Sequence, residues 1–252
     1  MSVGALKRCL PRGLKGWLRE QILGYYGIPY SRYGVPRALI RYLRGSGPIA
    51  LIDVGASEGR FTASLKGFAG VRKALLVEPL PHRCERLKEQ FPGEGFQIEC
   101  AAAGDTEKEV ELDVLAFDYS TSLLKINRDD PSASGTHDFS VRQRIRTRVR
   151  PLDRICEDLG FAGPIDLLKL DVQGAEGLVM KGALQTLKRA TAIWTEVSFR
   201  ALYEGSVTFS GMYELCRASG FRLQAIEEGF CGADGELLQG DALFVREALP
   251  KA

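Results

Sequence analysis

The sequence predicts a doubly wound α/β domain, in which helices cover both faces of a mostly parallel sheet. Two stretches, 49–102 and 165–219, alternate short buried strands with helices, as parallel sheets do. The last two strand-like segments, 221–227 and 242–246, are joined by a turn-rich connection too short for a helical crossover, so they should pair antiparallel. A chain of 252 residues, 45% hydrophobic and 26% charged, suits one well-packed domain and excludes disordered, collagen-like and disulfide-scaffold classes.

Each element follows from a local pattern. Strands are short apolar runs bounded by turn residues, and helices begin after glycine or proline and show apolar residues at helical spacing. With the two closing segments, the sheet is predicted to have seven strands. The other five are predicted at 49–54, 73–78, 96–102, 165–171 and 192–198, and the helices at 59–67, 81–90, 175–188 and 209–219.

The alternation is interrupted between residues 108 and 150. Two strand-like segments, 109–117 and 141–150, flank an irregular stretch rich in Ser, Asp and Pro, so we interpret 108–150 as an inserted hairpin with a long tip, 118–140. Side chains alternate along a strand, which puts five arginines of the second segment on one face. That face is either a binding surface or a charged edge that prevents aggregation. The five are Arg142, Arg144, Arg146, Arg148 and Arg150.

The N-terminal segment 1–46 is predicted to be a basic helical extension, followed by the main domain at 47–252. Residues 1–50 contain nine Lys or Arg against a single acid, Glu20, while the rest of the chain carries a net charge of −6. Such a basic arm indicates contact with an anionic membrane surface, a phosphorylated carrier or nucleic acid. A solvated helix face explains the same pattern equally well.

The six cysteines are scattered, with no C-x-x-C pair and no histidine at metal spacing, so they predict reduced thiols and no zinc site. No apolar run reaches the ~20 residues needed to span a bilayer, and the N-terminus lacks the apolar segment of a signal peptide. These observations favour a cytoplasmic protein, with the basic arm free to contact the inner membrane surface.

A candidate cofactor site follows the first strand, in the sequence Asp53-Val-Gly-Ala-Ser-Glu-Gly59. Gly55 allows a sharp turn and Gly59 allows close helix packing, but the G-x-G-x-x-G spacing for a pyrophosphate is absent. Glu78 ends the second strand, where an acid can accept hydrogen bonds from ribose hydroxyls. Together these residues favour S-adenosylmethionine over an NAD-type or purely structural interpretation. The turn also supplies Ala56 and Ser57, and Asp105, after the third strand, is either an adenine contact or a turn residue.

The segment 166–176, Asp-Leu-Leu-Lys-Leu-Asp-Val-Gln-Gly-Ala-Glu, with Met-Lys-Gly-Ala at 180–183, resembles the signature of the FkbM family of methyltransferases. The resemblance covers about residues 49–200 and implies the class I methyltransferase fold. It also implies S-adenosylmethionine as methyl donor and a hydroxyl acceptor on a sugar, a glycan or a polyketide-like product. The chain departs from the family pattern at Gln173, where the family usually has Glu.

Candidate catalytic residues lie at the ends of the fourth and fifth strands. Asp171 is expected to accept the acceptor's proton or orient its hydroxyl, with Lys169 on the same face of the strand, while Glu176 and Glu196 are candidate acceptor contacts. The structural alternative is that these acids cap a helix or pair with Lys169. His137, in the hairpin tip, is either a general base or a solvated loop residue. Spacing alone shows no full set of oxygen ligands, so no metal is predicted.

Two other functions remain open from the sequence. The domain would also suit a non-catalytic S-adenosylmethionine-binding module recruited as an interaction partner. RNA methylation is the third possibility, given the arginine-rich strand. No aromatic residues interleave with those arginines, whereas RNA-binding surfaces usually stack bases on aromatic side chains, so no nucleic-acid partner is expected.

Overall fold

A computed structural model of the chain describes Leu23 and residues 34–116, 120–129, 138–232 and 234–247. Its main sheet has seven strands in the order β3-β2-β1-β7-β8-β10-β9, and a second sheet has three, in the order β4-β6-β5. The strands are β1 (Ile49–Val54), β2 (Val71–Val77), β3 (Phe96–Glu99), β4 (Ala102–Gly104), β5 (Lys108–Leu115), β6 (Val141–Pro151), β7 (Leu167–Leu170), β8 (Ala192–Ser198), β9 (Phe221–Glu228) and β10 (Gln239–Arg246).

The predicted doubly wound sheet is confirmed. Strands β1, β2, β3, β7 and β8 pair in parallel, and β10 inserts antiparallel between β8 and β9. The helices are α1 (Arg37–Leu43), α2 (Arg60–Phe68), α3 (Pro81–Gln90), α4 (Leu152–Asp158), α5 (Glu176–Lys181), α6 (Leu184–Arg189) and α7 (Phe209–Ala218).

The core lies on both faces of the main sheet because its central strands are buried on both sides. Ile52 and Leu168 belong to one cluster of buried side chains, and their neighbours Leu51 and Leu167 belong to the other. Helix α1 completes the second cluster. Part of the predicted 1–46 extension is therefore built into the core of the domain.

Two predicted elements are divided in the structure. The single strand expected at 96–102 is split into β3 and β4, which belong to different sheets. The helix expected at 175–188 is split into α5 and α6 at Gly182, where a Cβ atom would lie 1.9 Å from the Gly104 carbonyl oxygen. That close approach brings β4, and with it the inserted hairpin, against the junction of α5 and α6.

The inserted hairpin is present as β5 paired antiparallel with β6, but its arginine face is not a free cationic surface. The register places Arg144, Arg146 and Arg148 opposite acidic residues of β5, and Arg144 Nε lies 2.8 Å from Asp113 Oδ1. Arg150 departs from the predicted exposed face, because it is buried and paired with Glu99 and Asp158. Acidic residues opposite three of the arginines therefore offset part of the predicted positive charge.

The expectation of reduced thiols is wrong for two cysteines. Cys84 in α3 and Cys100 after β3 form a disulfide, with Cα atoms 5.8 Å apart. Cys156, Cys216 and Cys231 are free thiols. The two bonded residues are 16 positions apart with no motif between them, so only the packing of α3 beside β3 brings them together. Within the described residues, no helix has the length and apolar character needed to cross a membrane.

Candidate active site

A cavity of about 330 Å³ lies at the carboxyl ends of β1, β2, β7 and β8. Ligands of open α/β sheets bind at this edge, because the loops that follow parallel strands converge there. One end of the cavity is formed by the turn after β1 and by Glu78, and the other by a group of acids after β7 and on β8 and β10. Its walls include Gly55, Ser57, Glu78, Pro79, Arg83, Ala102, Ser122, Leu123, Asp171, Gln173, Glu196 and Asp241.

The turn after β1 depends on Gly55. Its φ is +76°, and a Cβ atom there would lie 1.9 Å from the carbonyl oxygen of Asp171. The amides of Gly55 and Ala56 both donate to the Val77 carbonyl, at 2.9 and 3.1 Å. Only a residue without a side chain fits where the ends of β1, β2 and β7 come this close.

Glu78 holds the next part of the turn. Its carboxylate accepts hydrogen bonds from the amides of Ser57 and Leu80, at 2.9 and 3.1 Å, and its burial raises the pKa of that carboxyl. Ser57 has a positive φ of 51°, and its hydroxyl oxygen is buried without a hydrogen-bond partner among the described residues. Buried polar atoms are normally satisfied, so this hydroxyl and the remaining lone pairs of Glu78 indicate a polar ligand at this end of the cavity.

Lys169 lies beneath the site, on β7. Its ammonium donates to the Gly55 carbonyl at 2.7 Å and lies 3.2 Å from Asp53 Oδ1 and 3.3 Å from Asp171 Oδ2. Burial acts to lower the pKa of Lys169, but the adjacent Asp171 and Asp53 raise that pKa above its usual value. The ammonium thus makes one hydrogen bond and two ion pairs, while Asp53 Oδ1 has no hydrogen-bond partner within the described residues. Lys169 is therefore a fixed cation that orients Asp171 and the glycine turn.

The loop after β7 is held by Glu176. Its Oε1 accepts hydrogen bonds from the amides of Val172 and Gly174, at 2.9 and 3.2 Å, and the side chain is buried. Burial raises the pKa of Glu176 to about 7. Gln173, at the top of this loop, has a positive φ of 56°. Glu176 thus fixes a loop conformation that directs Gln173 toward the acids of the cavity.

Three carboxylates meet at the far end of the cavity, those of Asp171, Glu196 and Asp241. Glu196 on β8 lies in register opposite Asp241 on β10. Gln173 Nε2 donates to Asp171 Oδ1 at 2.9 Å and approaches both oxygens of Glu196, at 3.4 and 3.5 Å. On the other side, Gln239 Nε2 donates to Glu196 Oε2 at 3.0 Å. Burial raises the pKa of Asp241 to about 6 and holds that of Glu196 well above its usual value.

The structure brings five of the predicted site residues to the cavity wall and places the others elsewhere. On the wall are Gly55, Ser57, Glu78, Asp171 and Glu196. Behind it lie Asp53, whose Oδ2 accepts a hydrogen bond from Thr62, and Ala56, Gly59, Lys169 and Glu176. Asp105 lies in the turn after β4, off the wall, and its predicted adenine contact stays a prediction. His137 lies outside the described residues.

Sequence reasoning missed several polar residues of this site, three of them close to Glu196 and Gln173. Gln239 and Asp241 stand on the antiparallel strand β10, and the Tyr203 hydroxyl donates to Gln173 Oε1 at 3.1 Å. None of them belongs to a motif, and only strand register brings β10 beside β8. Among the described residues, no group of three or more His, Cys, Asp or Glu is arranged to hold a metal ion.

The fold and the site define a methyltransferase-type domain, with seven strands, an antiparallel β10 and a single-glycine turn at the cavity. A family model described as Methyltransferase FkbM domain matches residues 53–223, more than half of the chain. The chain therefore belongs to the FkbM family of S-adenosylmethionine-dependent methyltransferases.

Two individual proteins illustrate the similarity. The 2-O-methyltransferase NoeI of Sinorhizobium fredii is 28% identical over 224 residues, which cover 85% of this chain and 90% of NoeI. The crystal structure of an FkbM methyltransferase from Methylobacillus flagellatus KT superposes with a TM-score of 0.50 at 15% identity, over 78% of this chain and 43% of that one. The second similarity supports the fold alone.

The ion pair of Lys169 with Asp53 generates a stability prediction. Lys169→Met leaves the fully buried Asp53 carboxylate without its cation, so the free energy of unfolding should fall by about 3–5 kcal/mol. Combining it with Asp53→Asn removes the uncompensated charge and should recover part of the loss. Urea unfolding of both variants measures the difference. If the double variant is no more stable than Lys169→Met, the lost stability does not come from the buried charge.

Proposed function

We propose that this methyltransferase transfers a methyl group to a hydroxyl oxygen of a sugar or glycan. The observation that carries the proposal is the cavity itself, in which ligand-binding groups at Glu78 face a group of carboxylates at Asp171 and Glu196. Carboxylates are acceptors only and suit the paired hydroxyl donors of a sugar. The similarity to a protein named as a 2-O-methyltransferase supports the same acceptor chemistry.

The residues at the first end of the cavity suit S-adenosylmethionine. The unpartnered Ser57 hydroxyl and the free lone pairs of Glu78 would receive its ribose, and Gly55 would admit its amino acid portion close to the backbone. Asp53, Ala56 and Gly59 lie behind the cavity wall and would support the residues that contact the cofactor. The single-glycine turn supports this arrangement, because the cavity lacks the G-x-G-x-x-G loop that a diphosphate needs.

At the other end, the residues of the chain would align the acceptor. When bound, S-adenosylmethionine supplies a methyl group activated by its sulfonium. Asp171, held by Lys169 and Gln173, would orient the acceptor hydroxyl by accepting its hydrogen bond. Alignment of this kind converts binding into rate, because displacement at a methyl carbon requires the attacking oxygen in line with the leaving sulfur.

Glu78 offers a direct test of the cofactor end. Glu78→Gln keeps the size of the side chain but replaces a charged acceptor, so affinity for S-adenosylmethionine should fall by about 10-fold or more. Isothermal titration calorimetry measures the affinity of each variant for S-adenosylmethionine. Asp105→Asn is the matched control, because Asp105 lies off the cavity wall. Unchanged affinity in Glu78→Gln would remove Glu78 from the proposed site, and weaker binding in Asp105→Asn would bring the turn after β4 into it.

A panel of acceptors tests the reaction. The chain should transfer radiolabelled methyl groups from S-adenosylmethionine to simple glycosides or oligosaccharides, and matched 2-deoxy sugars should test the 2-hydroxyl in particular. Mass spectrometry of the product should place the added methyl on oxygen. Transfer confined to a nitrogen acceptor, or no transfer to any hydroxyl compound in the panel, would contradict the proposal.

The basic residues of the N-terminal segment support peripheral contact with an anionic membrane or carrier. Because α1 belongs to the core, the segment is best tested by deleting residues 1–33 only. Recovery of the full chain on liposomes containing phosphatidylglycerol should exceed that of the deletion variant, and the difference should disappear in high salt. Equal recovery would contradict a membrane role for these residues.

A further inference from the structure

We propose that Glu196 is the catalytic base, the carboxylate that takes the proton from the acceptor hydroxyl during methyl transfer. Gln173 and Gln239 are proposed as positioning residues that hold this carboxylate from two sides. The inference rests on the proposed O-methyl transfer, since a hydroxyl must lose its proton as its oxygen forms a new bond.

The position of Glu196 suits this role. It stands near the carboxyl end of β8 and lines the cavity at the end opposite Glu78. Its side chain is partly exposed to the cavity, while Asp53, Lys169 and Glu176 are buried behind the wall. A base must come within hydrogen-bonding distance of the proton it removes, so a carboxylate on the wall qualifies and one behind it does not.

Its hydrogen bonds hold the carboxylate but leave it able to accept a proton. Gln239 Nε2 donates at 3.0 Å to Oε2, and Gln173 Nε2 makes longer contacts with both oxygens. Tyr203 donates to Gln173 Oε1, which orients the Gln173 amide so that its NH₂ group faces the acids. Neutral amide donors fix direction without the full charge stabilisation that a cation would provide.

Asp171 is the alternative base, and its contacts make it the weaker one. Its Oδ2 lies 3.3 Å from the Lys169 ammonium, and its Oδ1 accepts the hydrogen bond from Gln173. Both of its carboxylate oxygens therefore already have a partner, and one of those partners carries a full positive charge. Glu196 makes no ion pair within the described parts of the chain. Asp171 therefore suits hydroxyl orientation, and Glu196 suits proton acceptance.

The surroundings of Glu196 raise its basicity. Burial comes first, and three neighbouring acids add to it, while Lys169 acts in the opposite direction, leaving the pKa of Glu196 well above its usual value. A general base is most effective when its pKa is close to the pH at which it works. Tyr203 also faces the group, but its own pKa is raised, so it remains a neutral donor. The acids are Asp171 after β7, Glu176 on α5 and Asp241 on β10.

The step balances without any further reactant. The acceptor's O–H bond breaks and its proton passes to a carboxylate oxygen of Glu196. The oxygen's electron pair forms the new O–CH₃ bond, and the electrons of the S–CH₃ bond remain on sulfur, which becomes a neutral thioether. Glu196, now protonated, releases its proton to solvent through the open side of the cavity.

The test compares the pH dependence of kcat in three variants, with the best acceptor of the sugar panel. Glu196→Gln keeps the shape of the side chain and should lower kcat by about 100-fold or more, with affinity for S-adenosylmethionine unchanged. In the wild type, kcat should fall as pH drops below the raised pKa of Glu196, and this acid limb should vanish in Glu196→Gln. Asp171→Asn, the comparison variant, should raise KM for the acceptor and lower kcat but retain an acid limb, moved to lower pH because Asp171 also raises the pKa of Glu196.

Asp241→Asn separates a catalytic role from a structural one. The variant keeps Glu196 and removes a negative charge that raises its pKa, so the acid limb should move to lower pH. Carbon-13 NMR of glutamate carboxyls in the free protein provides a readout besides activity. The wild-type resonance that is absent from Glu196→Gln is assigned to Glu196. Its pKa should lie above the usual glutamate range and should be lower in Asp241→Asn.

Each outcome is decisive. Suppose that the wild type methylates a sugar and that Glu196→Gln retains the wild-type kcat and the acid limb. That result would overturn the inference and leave the proposed function standing. A Glu196 carboxyl that titrates at or below the usual glutamate value would overturn it as well, because the loss in Glu196→Gln would then be structural. A wild type that methylates no hydroxyl acceptor would overturn both proposals.

Discussion

The site depends on the buried ammonium of Lys169. It makes a hydrogen bond with the Gly55 carbonyl and ion pairs with Asp53 at the end of β1 and with Asp171 after β7. Removing charges from water is costly unless they are paired, so the ion pair constrains both strand ends to one arrangement. The absence of a Cβ at Gly55 lets the backbones approach closely enough for that arrangement to form.

The acids in and behind the cavity differ in their partners because of this cation. Lys169 pairs with the carboxylates of Asp53 and Asp171. Farther along β8 and β10, Glu196 and Asp241 have amide and carboxylate neighbours, and burial raises both pKa values. One group of acids therefore combines a carboxylate held by a cation with two whose pKa values are raised by burial.

Most of the main sheet and one end of the cavity could be predicted from the sequence. The strand, turn and acid that form this end are each encoded within a few residues, so spacing alone predicted that Gly55, Ser57 and Glu78 lie close together. The arginine face was only partly predictable, because the acids of β5 that offset it depend on hairpin register. Gln239 and Asp241 lay beyond prediction, since no local pattern reports that β10 inserts beside β8.

The sequence by itself determined the alternation of strands and helices, the single-glycine turn and the acids at strand ends, because these features depend on neighbouring residues and on the periodicity of buried side chains. The tertiary structure alone decided which acids share one space. In the folded chain, Glu176 lies behind the cavity wall and holds the loop after β7, Cys84 is bonded to Cys100, and Glu196 lies opposite Asp241. Charge interactions and burial depend on distances between residues remote in the chain, and folding sets those distances.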